Sequence, residues 1–235
     1  MAVETLSQVA ILMPVNSLTR EFGKGSKVSQ QDVVEKLAII AEEVKGCTLC
    51  ELARSRTHAV PGEGSPSARV MLIGEGPGWH EDQEGRPFVG NSGKFLTELL
   101  EKAGLRREDV FITNVVKCRP PSNRDPLPDE IHACSSYLER QIAAIDPEVI
   151  VTLGRFSMTK YFPGERISRI HGEAKKLGKR LVVPMYHPAA ALHQASLRGA
   201  IEEDFAKLPK LLADHERERD SDAERENPAQ QISLF

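Results

Sequence analysis

Residues 70–78 read Val-Met-Leu-Ile-Gly-Glu-Gly-Pro-Gly, an apolar run that breaks into glycine and proline. A short continuous apolar run closed by turn residues is the pattern of a strand covered on both faces. Three similar runs follow at 110–116, 149–153 and 181–185, with apolar residues at helical spacing between them at 93–103, 129–145 and 155–162. Strand and helix alternate. The economical fold is a single α/β domain, three-layer α/β/α with a central four-stranded parallel sheet. A helix over 32–44 precedes the first strand and stops at Gly46, and a last helix spans 199–215. Residues 1–31 show no sustained period and read as a flexible leader, 32–212 as the folded domain, and 213–235 as a disordered acidic tail.

The chain has 235 residues, 40% apolar and 28% charged, enough for one well-filled domain and not for two large ones. No stretch approaches 18 uninterrupted apolar residues, and the first residues lack the basic-then-apolar pattern of a secretory leader. A cytoplasmic, monomeric protein that stays off membranes is expected. The net charge of −3 divides unevenly: residues 213–235 carry −4, whereas 155–180 hold eight Lys/Arg against Glu165 and Glu173. A polyanion could dock on that basic segment.

Ligands of open parallel sheets sit beyond the carboxyl ends of the strands. Those ends deliver Gly74 to Gly78 with Glu75, then Thr113-Asn114, then Gly154, then His187-Pro188. The loop after the first strand, GEGPGWHEDQEGRPFVGNSG, is not a phosphate-binding P-loop: in the frame ending Gly93-Lys94, Phe88 stands at the first glycine and Phe95 at the Ser/Thr. It is a loop rich in acids (Glu75, Glu81, Asp82, Glu84) with one aromatic, Phe88. The helix starting near Asn91-Ser92-Gly93 offers free backbone N–H groups to an anion.

Four cysteines complete the pattern. Cys47 and Cys50 form a two-residue-spaced pair, Cys118 follows the second strand, and Cys134 lies on a helix. Four thiolates with none left over fit one all-thiolate site, iron–sulfur or zinc, and spacing does not choose between them.

Taken together, GEGPG with EDxxGRPFVGxSG, TNVVKCRPPSNRDP (113–126), the CTLC pair with Cys134, and HPAA (187–190) resemble the type 4, iron–sulfur branch of the uracil-DNA glycosylase superfamily. The resemblance covers about residues 33–212. It implies hydrolysis of the N-glycosidic bond of uracil in DNA after the base is flipped out of the helix. It further implies that Asn114 reads the uracil edge, Phe88 stacks on the base, His187 donates to uracil O2, and Glu81 is the main catalytic carboxylate. It implies, too, that the Glu75/Gly76 backbone positions water and the uracil carbonyl, and Leu192 is the expected wedge for the gap left by the extruded nucleotide. On the same grounds Cys47, Cys50, Cys118 and Cys134 hold a structural 4Fe-4S cluster.

The chain ends Gln231-Ile232-Ser233-Leu234-Phe235, which is similar to the short peptides that bind replication sliding clamps; Gln231, Leu234 and Phe235 would be its anchors. Two other readings stay open from the residues. One is a four-cysteine nucleic-acid-binding module without catalysis, and the other a glycosylase of shifted preference, for hypoxanthine or for thymine opposite guanine.

Overall fold

The computed structural model describes residues 29–226; most of the expected leader and the terminal Gln231, Leu234 and Phe235 lie outside them. The first helix, α1 (Gln30–Gly46), opens on a reciprocal cap in which the Ser29 hydroxyl accepts the Asp32 N–H and the Asp32 carboxylate accepts that of Ser29. In chain order follow α2 (Leu52–Ser55), β1 (Glu63–Gly64), β2 (Val70–Gly74), α3 (Trp79–Glu84), α4 (Asn91–Lys102) and β3 (Phe111–Asn114). The second half holds α5 (Pro128–Ile145), β4 (Val149–Leu153), α6 (Arg155–Thr159), α7 (Ile167–Ile170), β5 (Lys175–Leu177) and β6 (Arg180–Met185). Helices α8 (Ala189–His193), α9 (Arg198–Ala206) and α10 (Leu208–Glu226) complete it.

The strands form one mixed sheet in the order β1-β3-β2-β4-β6-β5. This corrects the expected four-stranded parallel sheet to a six-stranded one. The pairings among β3, β2, β4 and β6 are parallel, and β1 and β5 add antiparallel edges. Both edges escape a search for apolar runs. Glu63–Gly64 is two residues long, and Lys175–Leu177 begins with two exposed lysines, the charge that keeps an edge strand from pairing with another chain.

Every residue of β2 is buried, which explains its unbroken apolar run. Met71 and Ile73 point to one side, packed with Val44 of α1 and Leu138 of α5; Val70 and Leu72 point to the other, against Leu96 of α4 and Phe205 of α9. Period-2 alternation thus feeds two cores, one under each helical layer.

One expectation about charge changes. The acidic tail is helical as far as Glu226, not disordered from 213: Leu208, Leu212 and His215 bury one stripe of α10 and nucleate it. Its acids then meet bases, Glu216 on Arg69 and Glu218 on Lys176, while Arg219 pairs with Glu148. In the basic segment five of the eight Lys/Arg pair with acids among the described residues. Arg155 pairs with Asp125, Lys160 with Glu139, Lys176 with Glu218 and Asp222, and Lys179 and Arg180 with Asp146. Among the described residues no helix is long and apolar enough to cross a membrane.

Candidate active site

A cavity of about 610 Å³ opens at the carboxyl ends of β2, β3 and β6 and gathers Glu75, Gly76, Glu81, Phe88, Asn114 and His187. Its size falls in the small-molecule range, about 300–1,000 Å³. Four loops build it, the ones that follow β2, β3 and β6 and the one that leads into α4. Ser92, in the first turn of α4, also faces it.

Asn114 ends β3 and is 2% exposed. Its side-chain Oδ1 is buried without a hydrogen-bond partner, one of five such atoms among the described residues and the only one of the five in the cavity wall. An unpaired buried acceptor costs about 1–3 kcal/mol, so it marks a place where a ligand donor belongs. Gly74 is needed beside it: a Cβ there would stand 2.3 Å from Asn114 Oδ1 and 2.8 Å from the Phe88 ring.

Phe88 is held at φ +52°, a left-handed conformation that a bulky residue rarely adopts. Such strain, roughly 1–3 kcal/mol, persists where the surroundings force it. Here the Phe88 carbonyl is wedged against Gly93, whose Cβ position lies 1.9 Å from that oxygen, so no other residue fits at 93. The Phe88 ring lies nearly parallel to that of His187, centroids 5.4 Å apart.

His187 follows β6. The Ala189 N–H donates to its Nδ1 at 3.1 Å, which leaves the ring proton on Nε2. Burial lowers its pKa to about 4, against an opposing pull from Glu81. At neutral pH the ring is an uncharged N–H donor.

The two leading carboxylates differ. Glu81 is 8% exposed and accepts three backbone N–H groups, from Gly78 at 3.1 Å and from Val89 and Gly90 at 2.9 Å each. Its oxygens are committed to fixing the loop. Glu75 is half-buried and no side-chain hydrogen bond engages it among the described residues; burial first, then Asp125, raise its pKa, while Arg155 lowers it. Asp125 and Arg124 enter the same cavity from the loop before α5 and were missed by sequence reasoning. Arg124 did carry a signal, since it grips the buried Glu130 at 2.7 and 2.9 Å, six residues on. Asp125 had none, because its nearness to Glu75 is purely tertiary. Leu192 is 51% exposed on α8 and is not part of the cavity wall, although its neighbours Ala190 and His193 are; Trp79, at the start of α3, is 53% exposed.

The cysteines meet on the other side of the 113–118 segment. Cys47, Cys50, Cys118 and Cys134 frame a pocket whose surface is entirely apolar, and none is in a disulfide. Donors point at two of the sulfurs: Arg56 Nη1 reaches Cys118 Sγ at 3.1 Å and the Lys117 N–H reaches Cys134 Sγ at 3.3 Å. Burial raises the Cys134 thiol to about 11 and the Cys118 thiol in the same direction. Among the described residues no group of three or more His, Cys, Asp or Glu is arranged to hold a single metal ion. The donor set is four sulfurs around one pocket, a set that fits iron–sulfur or zinc ligation.

Fold and cavity define an α/β protein with a cavity of ligand size at the carboxyl ends of its strands. A family model described as the uracil DNA glycosylase superfamily matches residues 61–212. A type-4 uracil-DNA glycosylase of Sulfurisphaera tokodaii is 53% identical over 189 residues, covering 76% of this chain and 86% of that protein; one of Thermotoga maritima is 47% identical over 183 residues, covering 76% and 95%. A type-5 uracil-DNA glycosylase of Thermus thermophilus is 40% identical over 114 residues, covering 42% and 52%. The chain belongs to the uracil-DNA glycosylase superfamily, in its type-4 branch.

Proposed function

We propose that this protein hydrolyses the bond between uracil N1 and deoxyribose C1′ in DNA and leaves an abasic site. The observation that carries the reading is the unpaired, buried Asn114 Oδ1 in a cavity that also holds a flat aromatic face and a neutral imidazole N–H. Uracil offers a donor at N3 beside an acceptor at O4, so the Asn114 carboxamide meets it with Oδ1 on N3–H and Nδ2 on O4. Cytosine presents the reverse pattern and leaves both buried groups unpaired, a mismatch worth several orders of magnitude.

The base enters the cavity only after leaving the duplex stack, and Phe88 covers part of the face it exposes. As the N1–C1′ bond breaks, its electron pair stays on uracil and positive charge grows on the sugar. The His187 Nε2–H donates to uracil O2, and because the ring is neutral it holds the anion by a hydrogen bond without first giving up a proton. Glu81, its lone pairs occupied by backbone N–H groups, acts by charge on the cationic sugar. Glu75 has a free carboxylate whose proton affinity is raised, so it takes the proton of the water that adds to C1′, with the Gly76 backbone lining the approach. Leu192, exposed beside this loop, enters the vacated base stack.

The cysteines would hold a 4Fe-4S cluster that supplies no electron to hydrolysis; when bound it ties α1 and α5 to residues 117–118. We propose further that the catalytic unit spans residues 32–212 and acts as a monomer on chromosomal DNA in the cytoplasm, and that Gln231, Leu234 and Phe235 recruit it to a sliding clamp. The clamp reading rests on sequence alone.

A uracil-containing oligonucleotide treated with the protein and then hot alkali tests the reading. Breakage at uracil, with cytosine, thymine and hypoxanthine strands intact, is expected. An intact uracil strand refutes it.

A further inference from the structure

One buried cation next to the pocket takes no part in the chemistry above. Lys117 is 1% exposed, and its three ammonium protons are all used, on Thr113 Oγ1 at 2.5 Å, the Asn114 carbonyl at 2.8 Å and Gln141 Oε1 at 2.8 Å. A fully buried ammonium is costly to desolvate, and an aliphatic side chain would fill the same space without that cost. Its partners are specific. Thr113 and Asn114 are the last two residues of β3, whereas Gln141 belongs to α5 and itself donates to the Pro61 carbonyl at 2.7 Å. Through its main chain Lys117 also donates to Cys134 Sγ and accepts the Val60 N–H at 2.7 Å. One residue therefore joins the end of the base-reading strand to the helix that carries a cysteine of the proposed cluster.

The Asn114 amide has no hydrogen bond of its own through Oδ1 to fix where it points. Its placement depends on where the backbone of residue 114 is held and on the close walls of Gly74 and Phe88. We propose that Lys117 is a positioning residue for base recognition: its ammonium clamps the Asn114 backbone to α5, and so sets the amide at the height of the uracil edge. The proposal rests on the function argued above. It also makes recognition depend on the packing of α5.

The test uses Lys117→Met in the full chain, which keeps the stem and removes three donors. Free uracil, as a product inhibitor, probes the pocket alone, and DNA carrying an abasic-site analogue probes the DNA contacts without a base. The inhibition constant for uracil is expected to rise about 10-fold or more. The dissociation constant for abasic DNA should stay within about twofold, with the visible absorbance per chain unchanged. A purely structural role would instead weaken both affinities in step, and either that result or wild-type values for both overturns the proposal. Should the Met variant fail to fold, Thr113→Val, which removes one acceptor, decides: it should show the same split at about threefold, and equal uracil affinity refutes the role. Wild-type protein that leaves uracil DNA whole refutes the function itself, a different outcome from an active wild type with an unsplit variant.

Discussion

The cavity at the strand ends and the pocket of the cysteines sit on either side of residues 113–118, and their polar groups are treated in opposite ways. In the first, among the described residues, Asn114 Oδ1 has no partner and Glu75 has no side-chain hydrogen bond, and Phe88 is strained. In the second, the surface is apolar, two donors already point at sulfur, and the adjacent Lys117 has every proton bonded. Unmet hydrogen-bonding capacity marks the place where a substrate comes and goes. Saturated capacity marks a place meant to stay put.

If that contrast holds, lesions on the two sides differ in kind. The largest effect is expected from Cys134→Ser: a lost thiolate removes the proposed cluster's contribution to folding, so thermal melting should show a large drop in midpoint, while turnover per folded molecule changes little. Unchanged melting with lost turnover would move the cysteines into the catalytic half of the comparison. Next comes His187→Ala, which removes a donor from the leaving anion and should lower kcat about 10²–10³-fold in single-turnover assays, with the melting temperature near wild type.

The same histidine sharpens the comparison through pH. Its pKa is about 4 in the fold and near the ordinary 6.5 when unfolded, so between those values the unfolded chain binds the proton that the native chain refuses. Stability is therefore full above about 6.5 and falls as pH drops toward 4. Urea midpoints at pH 7 and pH 5 should lie closer together in His187→Ala than in wild type. Phe88→Ala ranks last among the pocket changes: lost stacking, about 1–3 kcal/mol, corresponds to roughly 5- to 150-fold in kcat/KM.

How much of this the sequence revealed follows from how local each signal is. The buried strands announce themselves as unbroken apolar runs, and Asn114, Phe88 and His187 fall at strand ends or in a glycine-rich loop, so the rim was legible. The edge strands were not, because Glu63–Gly64 is short and Lys175–Leu177 carries edge-protecting charge. The helical tail was hidden too, since its support comes from Arg69 and Glu148, distant in sequence. Asp125 beside Glu75, and Gln141 on Lys117, are contacts between loops or helices that no spacing rule encodes.

The reading of the base by Asn114 is tested most directly by Asn114→Asp, which replaces the amide donor with a second acceptor and suits the cytosine N4 amino group. Single-turnover cleavage of matched uracil and cytosine oligonucleotides gives the ratio that matters. Uracil cleavage should fall by about 10³-fold or more while the uracil-to-cytosine ratio collapses. A variant that keeps wild-type preference for uracil would contradict the assignment.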